Sequence, residues 1–287
     1  MSVRRLLRMT ISTAALAFAP LTAAAQSMSF DSAGVPIHYV DSGGTGAAVV
    51  LIHGLGGSSD LWPNAGLFPI EGFRTIAIDA RGHGLSGKPA GAEAYGIAMA
   101  EDVARLLDHL EIEAAHLVGY SMGAEIALRF TVEHPEAVLS LTVGGSGWSG
   151  APEYELYQYV GMSLGAATSF AEWVRSMQPD LTDDQFAALR EGLAMQGVND
   201  ATQDMPALAA VATAMDGLIF LTEEQITAIG VPVLGIAGEL DPERANIERM
   251  AGVVPDFTMV VIDGADHLAA PFAPEFAAGI RAFLAAR

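Results

Sequence analysis

No cysteine occurs among the 287 residues of this chain, so it has neither a disulfide framework nor a cysteine for lipid attachment. Basic residues are scarce too: 14 Lys and Arg stand against 34 Asp and Glu, a formal net charge of −20. A field of that sign repels phosphate backbones and anionic lipid surfaces. It argues against nucleic-acid binding and a peripheral membrane role, and favours neutral or cationic small molecules as substrates. Net charge reports little about any one site, and solubility alone accounts for acidity of this kind. Histidines at metal-ligand spacing, such as His-x-x-x-His, are missing, so neither a catalytic metal nor any other cofactor is expected. Internal repeats and low-complexity linkers are missing as well.

The opening residues read as a removable leader. Arg4, Arg5 and Arg8 precede an apolar or small stretch over residues 9–21, and Ala23-Ala24-Ala25 before Gln26 fits a small-residue cleavage site. The apolar stretch is short for a membrane span and contains Pro20. The expectation is a signal peptide over residues 1–25 and an exported protein, periplasmic or secreted, with no stable membrane insertion after cleavage. The Arg pair does not decide the export route, and nothing in the sequence decides the oligomeric state. Cleavage would remove three arginines and no acids, leaving about 260 residues, enough for one large α/β domain.

Strand-like and helix-like segments alternate through those residues. Apolar runs over 35–40, 47–52, 73–78, 115–118, 138–143, 231–237 and 257–262 read as strands. Residues 98–110 carry Val103, Leu106, Leu107 and Leu110 on one helical face and Glu101, Asp102, Arg105 and Asp108 on the other, and a closing helix is expected over 274–285. Buried strands alternating with helices predict an α/β fold: a mostly parallel central sheet with helices on both faces and sites at the carboxyl ends of its strands. Residues 145–228 interrupt the pattern with helical patches and no strong strand run. They are expected to form a helical cap, inserted into a core of residues 26–144 and 229–287. Trp148, Tyr154, Tyr157, Tyr159, Met162, Phe170 and Trp173 would supply its apolar surface, each more readily as cap core than as a substrate contact.

The polar motifs cluster at expected strand ends. Gly119-Tyr120-Ser121-Met122-Gly123 reads G-x-S-x-G between an apolar run and a helical one, the context of a nucleophile elbow. A serine on so tight a turn presents its hydroxyl, and the flanking glycines remove Cβ atoms that would collide. His53-Gly54-Leu55-Gly56-Gly57 follows a strand, where backbone N–H groups can face a developing oxyanion; the Leu55 and Met122 amides are the expected donors. Asp241 and His267 each follow a late strand, completing the order Ser, Asp, His. Glu239, Asp263 and Asp266 compete for the acid's role. Glu239 is close to its strand end and the other two are near His267 in sequence, so Asp241 is preferred. His38, His109, His116 and His134 read as structural or solvated, whereas His53 and His83 fall in site-facing loops. His53 is better placed to brace the oxyanion loop than to act as base. Trp148, Tyr120, Leu240 and Leu268 are expected to contact substrate.

Five segments together resemble the α/β-hydrolase superfamily, in its branch with a helical cap: residues 53–57, 79–89, 119–123, 238–241 and 264–267. The resemblance implies a structural turn for Asp79-Ala80-Arg81-Gly82-His83-Gly84-Leu85-Ser86-Gly87-Lys88-Pro89. It also implies hydrolysis of a small-molecule carboxylic ester or lactone through an acyl-enzyme on Ser121, with His267 as base and Asp241 as its orienter. A carbon-carbon bond hydrolase or a cofactor-free perhydrolase would use the same triad. Dehalogenases and epoxide hydrolases resembling this chain have an aspartate where Ser121 stands, and the tryptophan-containing elbow of proline iminopeptidases is absent. A catalytically silent binding protein would keep the fold without the chemistry. An imidazole base little perturbed by its site would give activity rising with pH near its reference pKa of about 6.5.

Overall fold

The structure, a computed structural model, describes residues 25–149 and 151–287, and no side chain over 150–154. The expected leader therefore lies outside the described residues, apart from Ala25, and so does the side chain of Tyr154.

Among the described residues eight strands form one sheet: β1 (Gln26–Ser32), β2 (Val35–Asp41), β3 (Ala48–Ile52), β4 (Arg74–Ile78), β5 (Ala115–Tyr120), β6 (Val138–Gly144), β7 (Val233–Gly238) and β8 (Phe257–Ile262). Their spatial order is β1-β2-β4-β3-β5-β6-β7-β8. Only β1 with β2 and β2 with β4 pair antiparallel; every other pairing is parallel. Strand β1 is not among the strands expected from apolar runs. Its sequence, QSMSFDS, is mostly exposed and joins β2 through Ala33 and Gly34, both at positive φ (54° and 85°). Two such residues form the turn whose twist matches a two-residue hairpin.

The helices described are α1 (Leu61–Asn64), α2 (Ile97–His109), α3 (Met122–Glu133), α4 (Ala151–Gly165), α5 (Phe170–Ser176), α6 (Asp183–Met195), α7 (Met205–Thr213), α8 (Asp216–Ile219), α9 (Glu223–Thr227), α10 (Arg244–Glu248) and α11 (Pro274–Ala285). Successive side chains of a strand point to opposite faces. In β3, Val50 and Ile52 pack with Val103, Leu106 and Phe130 of α2 and α3, whereas Val49 and Leu51 pack with Trp62, Ile280 and Leu284 of α1 and α11. Both faces are covered, which is why this strand reads as an unbroken apolar run rather than an alternating one.

Helices α4 to α9 lie between β6 and β7; α4 to α7 build a core of their own from Val160, Leu164, Phe170, Trp173, Phe186, Leu193 and Leu208, while Leu218 and Ile219 of α8 and Ile226 of α9 join the core beneath the sheet. Leu55 and Leu268, from loops at the carboxyl ends of β3 and β8, pack against that core. Capping boxes at Thr182 with Gln185 and at Thr222 with Gln225 start α6 and α9, satisfying amides that no helical carbonyl can reach.

Candidate active site

Ser121 occupies the turn between β5 and α3 with φ 55° and ψ −124°, a conformation costly for a residue with a Cβ. The turn is held by its packing: a Cβ on Gly119 would lie 2.2 Å from the Gly123 carbonyl oxygen, and one on Gly123 only 2.0 Å from that of Ile52. No side chain fits at either place, so the start of α3 closes directly onto the ends of β5 and β3. The Ser121 amide donates to the Gly144 carbonyl at 2.7 Å, tying the elbow to β6.

The Ser121 hydroxyl donates to His267 Nε2 at 3.0 Å, and His267 Nδ1–H donates to the two carboxylate oxygens of Asp241, each at 3.0 Å. These residues come from loops after β5, β7 and β8, so the parallel sheet itself gathers three positions far apart in the chain. The competing acids are occupied elsewhere and exposed. Glu239 accepts from the Gly264 amide at 2.9 Å, and Asp266 accepts from the Leu268 and Ala269 amides at 3.0 and 2.9 Å. Asp263 is exposed as well. Asp241 is buried, and its Oδ1 also accepts from the Glu243 amide at 2.9 Å.

The loop after β3 runs beside Ser121: a Cβ on Gly54 would sit 3.1 Å from Ser121 Cβ and 3.7 Å from its Oγ. Among the described residues neither the Leu55 nor the Met122 amide is engaged by a carbonyl or a side chain, as donors awaiting a developing negative charge require. His53 is entirely buried behind this loop; its Nδ1–H donates to the Gly54 carbonyl at 2.8 Å and its Nε2 accepts from the Ala80 amide at 3.0 Å. Burial holds its pKa below 6.5, so it braces the loop as a neutral imidazole. Asp79 accepts from the amides of Ser59 and Leu85 and from His38. Although burial opposes its charge, these bonds hold its pKa well below the usual carboxylate range. A Cβ on Gly84 would strike that carboxylate at 2.3 Å, so residues 79–89 form a turn wound around Asp79.

The four expected substrate contacts fare differently. Tyr120 is a correction: its side chain is completely buried under the triad, and its hydroxyl donates to the His267 carbonyl while its ring packs on Phe276. It supports the histidine loop from below and is out of a substrate's reach. Trp148 is half-buried, donates through Nε1 to the Leu221 carbonyl at 2.9 Å, and lies under the Arg249 guanidinium. Leu268 is half-buried against the core of α4 to α7, and Leu240 is 64 % exposed at the rim. Residues of the 145–228 segment grip the same loops. Gln203 Nε2 donates to the Gly56 carbonyl at 3.0 Å and Gln196 Nε2 to that of Leu268 at 3.1 Å, while Phe170 packs so closely on Gly56 that a Cβ there would meet its ring at 2.7 Å. A cleft of about 410 Å³ beside α6, lined by Asp60, Arg190 and Asp200 among others, includes no triad residue.

The charges around His267 adjust the sequence-based expectation of an unperturbed base. Burial alone would lower its pKa, but the hydrogen bond and charge of Asp241, with Glu243 and Asp266 beyond, outweigh it and raise the imidazole above 6.5. A base with a raised pKa stays protonated, and inactive, to higher pH. The acid limb of kcat/KM is therefore expected to have its midpoint above 6.5. A pH-rate profile with its midpoint at or below that value would contradict this electrostatic balance.

The model of the α/β-hydrolase fold family matches residues 47–274. A 2-hydroxy-6-oxo-6-phenylhexa-2,4-dienoate hydrolase of Comamonas testosteroni is 38% identical over 132 residues, 45% of this chain and 46% of that protein. The chain thus spans about half the length of that relative. A 2-(acetamidomethylene)succinate hydrolase of Mesorhizobium japonicum is 27% identical over 242 residues, 81% of this chain and 85% of that protein. Among solved structures, a thermophilic esterase from Thermogutta terrifontis superposes with a TM-score of 0.72 at 25% identity, over 91% of this chain and 98% of the other. The chain belongs to the α/β-hydrolase fold family.

Proposed function

We propose that the chain is a serine hydrolase that cleaves an uncharged or cationic carboxylic ester or lactone through an acyl-enzyme. The observation that carries this reading is the continuous relay from Ser121 through His267 to Asp241, each link at 3.0 Å. His267 removes the hydroxyl proton as Ser121 attacks the carbonyl carbon, and Asp241 fixes the tautomer and offsets the charge on the imidazole. The Leu55 and Met122 amides receive the oxyanion, which water-exposed groups would stabilise far less. His267 returns the proton to the leaving alcohol. Water, deprotonated by the same imidazole, then releases the acid and regenerates Ser121.

Charge favours this reading over carbon-carbon cleavage of a dienoate, the activity in the Comamonas relative's name. A carboxylate-bearing substrate calls for a cation in its site. Residues 145–228 contain 12 Asp and Glu but only Arg175 and Arg190 as cations. Arg175 pairs with Asp183 and lies over the Phe186 ring, while Arg190 pairs with Asp200. The charges that reach His267 are those of Asp241, Glu243 and Asp266, all acidic. A panel after fluorophosphonate labelling tests the reading. Neutral aryl esters and lactones should be turned over, with kcat/KM at least about tenfold above that for esters carrying a carboxylate near the scissile bond, the scale of one like-charge encounter at about 1.4 kcal/mol. Preferred turnover of a 2-hydroxy-6-oxo-dienoate would replace the ester reading with the carbon-carbon one. Neither labelling nor turnover at any pH would leave a binding protein.

The leader and its cleavage after Ala25 belong to this reading too, with the protein working outside the cytoplasm. A cut there would leave β1, which starts at Gln26, intact. Mass spectrometry of exported material should find a mature terminus near Gln26; retention of residues 1–25 would refute cleavage.

A further inference from the structure

Glu125 lies in α3 one helical turn beyond Ser121, with its side chain in the protein interior. Its Oε1 accepts from the hydroxyls of Tyr157 at 2.9 Å, Ser146 at 3.2 Å and Ser149 at 3.3 Å, and its Oε2 accepts from Tyr157 at 2.8 Å. Tyr157 belongs to α4, and the two serines to the segment that leads from β6 into it. One carboxyl group thus joins the nucleophile helix, the exit of the central sheet and the first helix of the 145–228 segment. Among the described residues no Lys, Arg or His pairs with it. Arg129, one turn further along α3, donates instead to Glu133 and to the carbonyls of Leu218 and Phe220.

We propose that Glu125 is a positioning residue, a latch that holds α4 against the nucleophile helix and so governs how the cap seats over Ser121. The proposal rests on the hydrolase reading only for its kinetic consequences. The side chains that face Glu125 are Tyr157 of α4, Ser146 and Ser149 of the connection, and Glu243 from the loop after β7. Burial pushes the Glu125 carboxyl up from 4.5 to about 7, the charge of Glu243 adds to the rise, and the three hydroxyls oppose it only in part. The closed latch therefore prefers the protonated acid, whereas opening hydrates the group and returns it towards an ordinary carboxylate. Closure is fully favoured below 4.5, and that advantage is lost as pH rises through about 7. The window spans neutrality, so proton uptake by a group that never touches substrate would tighten the cap.

Hydrogen exchange of the amides over 157–165, corrected for intrinsic base catalysis, tests the latch. From pH ~5.5 to ~8 the wild type should lose protection there by roughly tenfold, while Glu125→Gln, which keeps the hydroxyl contacts without the charge, should lose little. The KM for a bulky aryl ester should rise over the same interval in the wild type and stay level in Glu125→Gln, with the kcat limb set by His267 present in both. Equal pH responses in the two proteins would overturn the proposal. Should Glu125→Gln fail to fold, Tyr157→Phe removes the donor that α4 contributes and should reduce protection of 157–165 at either pH; unchanged protection would overturn it equally. The two readings fail separately: an exchange contrast without ester turnover sinks the hydrolysis alone, and turnover without the contrast sinks the latch alone.

Discussion

Replacing Ser121 with alanine is expected to lower kcat on the best ester by about 10⁶, and His267→Ala by a similar factor, with the double variant scarcely worse than either. Non-additivity follows from the geometry. With its hydroxyl donating to His267 Nε2 at 3.0 Å, Ser121 in the proposed mechanism attacks only as fast as that nitrogen removes its proton. Once either partner is missing, the other has nothing to act on, and only the oxyanion donors and substrate binding remain to accelerate the reaction. Burst kinetics and steady-state turnover of the three variants provide the measurement. Losses that multiply would show two groups working independently, and ordinary turnover by Ser121→Ala would remove the nucleophile assignment altogether.

Asp241→Asn is expected to cost about 10⁴ in kcat with the fold intact, because an amide can donate to Nδ1 and hold the imidazole in the tautomer whose Nε2 carries the proton. Glu239→Gln, two residues away, should change kcat little, since Glu239 caps the Gly264 amide at an exposed position. The same substitution of Asp241 removes the largest influence that raises His267, so residual activity should titrate at lower pH than in the wild type. Circular dichroism melts alongside the kinetics separate misfolding from lost chemistry. A damaging Glu239→Gln with a nearly neutral Asp241→Asn would mean that the acid has been misassigned.

The parts of this molecule legible in the sequence are those determined by neighbours along the chain. Apolar runs mark the buried strands β3 to β7 because both faces of each are covered, and G-x-S-x-G marks the elbow because only glycine fits between Ile52, Gly123 and the turn. Strand β1 stayed hidden for the opposite reason: an exposed edge strand needs no apolar run, and its pairing is set by the hairpin turn at Ala33 and Gly34.

Contacts across the sheet were decided only by the tertiary structure. Asp241, Glu239 and Asp266 are chemically alike and close in position, yet one is buried facing Nδ1 of His267 and the other two cap exposed amides. Tyr120, beside the nucleophile in sequence, points to the opposite side of β5 under the histidine loop, since successive residues of a strand alternate faces. Glu125 gave no signal, because an acid in an amphipathic helix ordinarily faces water; here α4 covers that side of α3 and supplies the hydroxyls that make burial tolerable. The order and type of the elements follow from local steric and apolar patterning, whereas the charge state and partners of each polar side chain depend on which distant segment folds over it.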